Sequence, residues 1–320
     1  LYEVSAADVL DESEIAAITV DDQDEETVVT GEDFELTFNK TEGTIASFIY
    51  QDTELLKAGP VPNFWRAPTD SDWGYYSANT LSDWRYAGVN RTVTEVNVSA
   101  EENKVTFTVN ASLPTTTESA WKQVYTVYGT GDVKITSTLT PGSADLPMIP
   151  EVGNMLEMPA EFHNITWYGR GPEENYIDRK TGYNIGLYQS TVEDFFVDYI
   201  KPQETGNRTD VRWVSLTNDE GIGLLAKATA SAPIEFNALA YTPEELSNNL
   251  HSYMLPENDR VIWRLNYKQM GLGGDNSWGA KPLDKYQISS GNTYKYTFTL
   301  KPISTSDIDA SIEEAKVVLP

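Results

Sequence analysis

The sequence predicts an all-β fold, a large antiparallel β-sandwich, and three observations lead there. Short runs rich in Val, Ile, Thr, Tyr and Phe recur between Gly, Pro, Asn and Asp along most of the 320 residues. Helical periodicity is confined to two stretches, Pro243 to Leu250 and Ile308 to Val317. The strand-like runs show no repeat of fixed period, which argues against a propeller and for a sandwich.

Taken in order, the chain starts with an acidic segment. Residues 1–35 hold 13 Asp or Glu and no Lys or Arg, so half of the formal net charge of −26 lies there. The run Asp21, Asp22, Gln23, Asp24, Glu25, Glu26 reads as a solvated connection rather than a packed element. Residues 1–26 are therefore expected to be an acidic lead-in or the end of a preceding domain. Phe34 to Asn39 alternates apolar and polar, Gly43 interrupts, and Thr44 to Tyr50 resumes. Val93 to Val98 and Lys104 to Asn110 follow. Gly129, Thr130 and Gly131 then form a hairpin turn between Trp121 to Tyr128 and Asp132 to Thr140. Val211 to Thr217, Ile222 to Lys227, Val261 to Tyr267 and Tyr294 to Leu300 complete the strands, giving a domain over 27–303 and a tail or linker over 304–320.

Composition removes several function classes. With 49 acidic against 23 basic side chains, the surface repels phosphate backbones and anionic lipid, so neither nucleic acid nor a membrane is expected as a partner. Cysteine is absent, which removes thiolate nucleophiles, disulfides and cysteine metal sites. His163 and His251 are too far apart in sequence for a spaced metal motif, and no metal or cofactor is expected. No apolar run approaches a membrane span. The first residue is Leu1, not Met, which reads as a processed chain or part of a longer one.

No complete active site emerges. Neither histidine sits beside a nucleophile in a suggestive setting. Gly271, Leu272, Gly273, Gly274 lacks the Lys-Ser/Thr of a phosphate loop, since Asp275 follows. Glu173 and Glu174 are adjacent, so on an extended segment they point apart and cannot face one sugar together; they read as loop braces. What remains is aromatic density in long loops. Trp65, Trp73, Tyr75, Tyr76, Trp84 and Tyr86 crowd one of them, and Trp278 stands in a Gly-rich loop with Asp275, Asn276 and Lys281. Flat indoles beside Asp and Asn suit a pyranose, with its apolar C–H face and hydroxyl rim, so carbohydrate is the expected ligand.

Four loops together resemble one family. Asn63-Phe-Trp-Arg-Ala-Pro-Thr-Asp-Ser-Asp72 is similar to the Arg-Ala-Pro-x-Asp-x-Asp segment of the C-terminal domain of family 2 β-galactosidases. Gly171 to Arg179 resembles that domain's Gly-Pro-x-Glu-Asn-Tyr-x-Asp-Arg motif. Pro202, Glu204 and Gly206 resemble its Pro-x-Glu-x-Gly turn, and Gly271 to Trp278 its Gly-x-Gly-Gly-Asp-x-Ser-Trp loop.

The resemblance implies a supersandwich of the galactose mutarotase kind. It also implies a partner, a separate catalytic (β/α)8 barrel domain or large subunit that carries the acid/base and nucleophile glutamates and acts on β-galactosides. No catalytic residue is then expected in this chain, which alone should be inactive. By motif, Trp278 lines the sugar pocket, Asp275 and Asn276 brace its loop, and Gly273 and Gly274 give it backbone freedom. The segment around Gly74 resembles a mobile loop of the family, although Trp73, Tyr75 and Tyr76 are bulky neighbours for a hinge. Two competitors are a non-catalytic carbohydrate-binding module and an aldose epimerase, the latter needing a placed histidine and carboxylate.

Overall fold

The computed structural model describes residues 8–74, 81–276, 278–305 and 307–319. Among them, 21 strands form a nine-stranded sheet, two five-stranded sheets and one two-stranded pair. Every pairing is antiparallel except the short one of Asp8–Val9 with Val317–Val318. The expected all-β sandwich is what the chain adopts.

The long sheet runs Asn184–Thr191, Asn164–Gly171, Trp213–Thr217, Ile222–Ala228, Tyr294–Ser304, Val133–Thr140, Ser119–Tyr128, Lys104–Leu113 and Thr92–Ala100. Its middle strands bury every second residue, as period-2 alternation requires for a sheet with one covered face. The second sheet runs Arg208–Val211, Ile234–Leu239, Arg260–Gln269, Glu151–Pro159 and Ala58–Asn63. Here both faces are covered. Val261, Trp263 and Leu265 join the main core with Ile234, Phe236 and Ala238, while Arg264, Asn266, Glu235 and Asn237 alternate with them and are also buried. Polar residues at buried, alternate positions mark a face roofed by loops rather than water.

Between the two sheets lies a polar plug. Asn154 Nδ2 donates to Tyr296 Oη at 2.6 Å and Ser137 Oγ at 2.9 Å, and Asn154 Oδ1 accepts from Gln123 Nε2 at 2.8 Å. Tyr296 Oη donates onward to the Leu265 carbonyl at 3.0 Å, so every member of the plug is engaged across the interface.

The acidic run is exposed, as expected, but it is a hairpin rather than an unpaired connection. Thr19–Asp22 pairs with Glu26–Thr30, which continues through Phe34–Asn39 and Thr44–Tyr50 to Thr53–Glu54. The carboxylates sit on its exposed side and turns, while Val29, Leu36, Phe38, Ile45 and Phe48 face the core. Phe38 stacks on Phe107 of the long sheet at 4.1 Å and meets Tyr125 edge-on at 5.2 Å. Both expected helices are present, as Pro243–Asn248 and Ile308–Lys316. The second, with Ile312 and Ala315, covers Trp213, Leu225 and Ile303 on the outer face of the long sheet.

Candidate functional site

The four motif loops meet over the polar face of the second sheet, and side chains rather than ladder hydrogen bonds hold them together. Arg66, fully buried, donates from Nη1 to the Met270 carbonyl at 2.5 Å and from Nη2 to the Gly271 carbonyl at 3.0 Å. Its counter-ion is Asp72, at 3.1 Å and equally buried, which also accepts from the Thr69 amide at 2.8 Å. The first loop is thus tied to the fourth. Asp70 N donates to Gln203 Oε1 at 3.2 Å, which ties the first loop to the third.

The second loop holds the others. Glu174 accepts from Tyr199 Oη at 2.5 Å, from the Gly206 amide at 2.8 Å and from Tyr176 Oη at 3.2 Å. Glu174 thus joins the second loop to the third. Asn175 Oδ1 accepts from the Thr209 amide and hydroxyl at 2.9 and 2.6 Å. Asp178 reaches the fourth loop, with Oδ1 3.0 Å from Leu272 N and Oδ2 2.9 Å from Gly273 N, and Arg179 Nη2 donates to the Gly273 carbonyl at 3.0 Å.

Beneath the loops lies a floor of buried charge. Arg264 bridges Glu151 at 2.8 Å and Glu204 at 2.6 Å, and Glu204 also accepts from Gln269 Nε2 at 2.9 Å and Asn237 Nδ2 at 3.2 Å. Glu235 accepts from Gln269 N at 3.1 Å and Asn207 Nδ2 at 3.2 Å. Burial lifts the Glu235 carboxyl to about 7, against the pull of those two donors. Burial also lifts Glu151, with Arg264 opposing, while the same carboxylates hold Arg264 more firmly protonated than its burial alone would allow. These acids are enclosed, and each accepts from neighbouring side chains or backbone, so the floor supports the loops above it. Among the described residues, no three His, Asp or Glu side chains group as a metal site.

The fourth loop carries Trp278 outward. Its indole is 90% exposed, whereas Trp65 and Trp84 of the first loop are buried and Trp73 is 45% exposed with Lys201 Nζ 3.8 Å above its ring. Asn276 Oδ1 accepts from the amides of Trp278 at 2.9 Å and Ala280 at 3.3 Å, so Asn276 braces the turn below the indole. Asp275 is exposed. Gly273 and Gly274 have φ of +66° and +102°, a region that disfavours side chains. Gly74 ends the short turn Asp72–Gly74; Tyr75, Tyr76 and most of the segment expected to act as a hinge lie outside the described residues. His163 pairs with Asp219 at 3.2 Å and His251 stacks on Tyr253, neither in the loop cluster described above. Arg66, Asp178 and Arg179 stand out in the sequence only as motif positions, and Glu151, Glu235 and Arg264 do not stand out there as site residues. The signal for the latter was an acid or Arg set within an apolar run, as in Ile234-Glu-Phe236 and Trp263-Arg-Leu265.

A large antiparallel sandwich of this kind has the galactose mutarotase-like fold. A galactose 1-epimerase of Lactobacillus acidophilus shares the fold with a TM-score of 0.50 at 7% identity, over 89% of this chain and 98% of that one. The chain belongs to the family of β-galactosidase small chains, whose model matches residues 30–300. A β-galactosidase of Priestia megaterium is 44% identical over 287 residues, 90% of this chain and 27% of that protein. One of Halalkalibacterium halodurans is 34% identical over 281 residues, 86% and 27% respectively. The chain thus spans about a quarter of the length of these relatives, both of them β-galactosidases.

Proposed function

We propose that this chain is the C-terminal domain or small subunit of a retaining β-galactosidase of glycoside hydrolase family 2. A (β/α)8 barrel in the remaining part of the protein would supply the catalytic glutamates, and the Trp278 loop would complete its sugar pocket. The indole would stack on the C–H face of a bound sugar and exclude water, which strengthens the electrostatics of the glutamates without moving a proton. The chain alone would then not hydrolyse a glycoside.

The observation that carries the reading is the position of Trp278: an indole 90% exposed at the tip of a loop whose base is fixed by Arg66, Asp178 and Arg179. A single exposed indole on a firmly held base gives a stacking surface at little ordering cost. The small-chain family and the β-galactosidase relatives supply the reaction class. The test is hydrolysis of a chromogenic β-galactoside by the chain alone, by the chain with the barrel-containing remainder, and by that pair with Trp278→Ala. Inactivity alone, activity on joining and its loss with Trp278→Ala are expected, with the unfolding midpoint of the variant unchanged. Turnover by the isolated chain, or a silent Trp278→Ala, would refute the assignment.

A further inference from the structure

We infer that Asp178 is a positioning residue for the reaction: its carboxylate, seconded by Arg179, sets where the Trp278 indole stands. The inference rests on the proposed role of Trp278 at the sugar pocket. Strand Arg260–Gln269 ends just before the fourth loop, and the next two amides, Met270 and Gly271, donate to the carbonyls of Pro150 and Tyr286 at 3.0 and 2.8 Å. The following two, Leu272 and Gly273, donate to Asp178. Among the described residues, those bonds and the one from Arg179 to the Gly273 carbonyl are the last that tie the loop to another element before the indole. After them the loop holds itself, through the turn that Asn276 closes.

The glycines of this loop agree with that role. A Cβ on Gly271 would lie 2.6 Å from Asp178 Oδ2, and one on Gly274 would lie 2.7 Å from Arg179 Nη2. At Gly271 the backbone thus leaves no room for a Cβ beside the Asp178 carboxylate, while at Gly274 it is the φ of +102° rather than the exposed Arg179 guanidinium that favours glycine. Two amides on one carboxylate are charge-assisted bonds, about twice as strong as neutral ones. Asp178→Asn keeps the shape but turns an amide NH₂ toward one of the two N–H groups, replacing an acceptor by a donor.

The test uses the full-length protein that carries this chain, with Asp178→Asn, Trp278→Ala, the double variant and Gly271→Ala. Gly271→Ala presses on Asp178 without removing its charge, and on Tyr286 Cβ at 3.0 Å, and serves if Asp178→Asn does not fold. Hydrogen exchange of the peptide over 271–278 should speed up about tenfold or more in either variant, the effect of losing about 1.4 kcal/mol of local protection. The value of kcat/KM on a chromogenic β-galactoside should fall about tenfold with Asp178→Asn, but by no more than about twofold in the Trp278→Ala background, since residues acting as one unit are not additive. Unchanged exchange in 271–278 would overturn the clamp. An equal further loss in the Trp278→Ala background would show that Asp178 acts elsewhere. A silent Trp278→Ala with accelerated exchange would instead sink the role of Trp278 while leaving Asp178 as the anchor of the loop.

Discussion

Glu235→Gln should change how stability depends on pH, in a direction and amount that follow from the floor of the loop cluster. Glu235 is 6% exposed, and burial raises its carboxyl from an ordinary 4.5 to about 7. The charged groups nearest in effect are Lys180 and Lys268, which favour ionisation too weakly to offset burial. An acid with a raised folded-state value binds its proton more tightly when folded. Stability is then greatest below about 4.5, falls as pH rises toward 7, and levels off above it. A shift of about 2.5 pH units corresponds to a total loss of about 3 kcal/mol, of which about 2 to 3 kcal/mol falls between pH 5 and 8. The amide introduced by Glu235→Gln would mimic the protonated acid, because both donors, Asn207 Nδ2 and Gln269 N, reach the same oxygen and an amide oxygen can accept them. Urea unfolding followed by tryptophan fluorescence at pH 5, 6.5 and 8 measures the difference. Wild type and variant should lie close together at pH 5, and the variant should be more stable by about 2 to 3 kcal/mol at pH 8. Parallel curves over that range would refute the claim that Glu235 is buried with a raised proton affinity.

Two further substitutions test the supports on either side of the second sheet. Asn154→Leu strips partners from Gln123, Ser137 and Tyr296 inside the inter-sheet plug, and at about 1–3 kcal/mol for each buried group left unsatisfied it should cost about 3–5 kcal/mol by denaturant unfolding; a loss under about 1 kcal/mol would mean that water reaches the plug. Arg66→Met leaves Asp72 as a fully buried charge without its guanidinium and should destabilise by about 3–5 kcal/mol, with partial recovery when Asp72→Asn is added; no recovery would show that the carbonyl contacts to Met270 and Gly271, not the ion pair, dominate.

The middle of the long sheet was legible because its strands alternate, while Asn164–Gly171 and Asn184–Thr191 at one end of it were not read. Lys104–Leu113 and Ser119–Tyr128 bury every second residue, and the hairpin glycines between Tyr128 and Val133 punctuate them. The second sheet was much less so. Ala58–Asn63 carries Pro60 and Pro62, which an edge strand tolerates because one side of its backbone needs no donor, and it is an edge of its sheet. Glu151–Pro159 carries Glu, Gly and Asn at buried positions, so neither clean period-2 alternation nor an apolar run announces it, while Ile234–Leu239 does alternate in sequence but buries its polar face as well as its apolar one. Gly153 lacks a side chain because Asn266 occupies that space: a Cβ there would fall 1.9 Å from Asn266 Oδ1. The acidic hairpin was misread for a related reason. Asp21, Asp22, Asp24 and Glu25 dominate the local charge, but the burial that organises the hairpin comes from Val29, Leu36 and Phe38 further along. At the site, the residue types of the fourth loop suggested an exposed indole for sugar, whereas its anchors lie over 90 residues away and could be seen only once the loops had met.

The buried charges and the exposed indole are two sides of one physical problem. A loop that leaves a strand loses its ladder partners, and its amides and carbonyls still need donors and acceptors when other loops cover them. Here Met270 and Gly271 expose carbonyls to Arg66, and Leu272 and Gly273 expose amides to Asp178. Charged side chains meet that need with short, directional bonds, but once buried they need counter-charges of their own, as Asp72 does for Arg66. On the polar face of the sheet the same logic places Arg264 between Glu151 and Glu204, with Glu235 left to hold a proton near neutral pH. The indole itself contributes little to folding at 90% exposure, so nothing in the stability of this chain requires a tryptophan at position 278. In the proposed function, the buried Arg66–Asp72 pair and the Asp178 carboxylate hold the base of this loop so that the ring at its tip meets a sugar outside the chain.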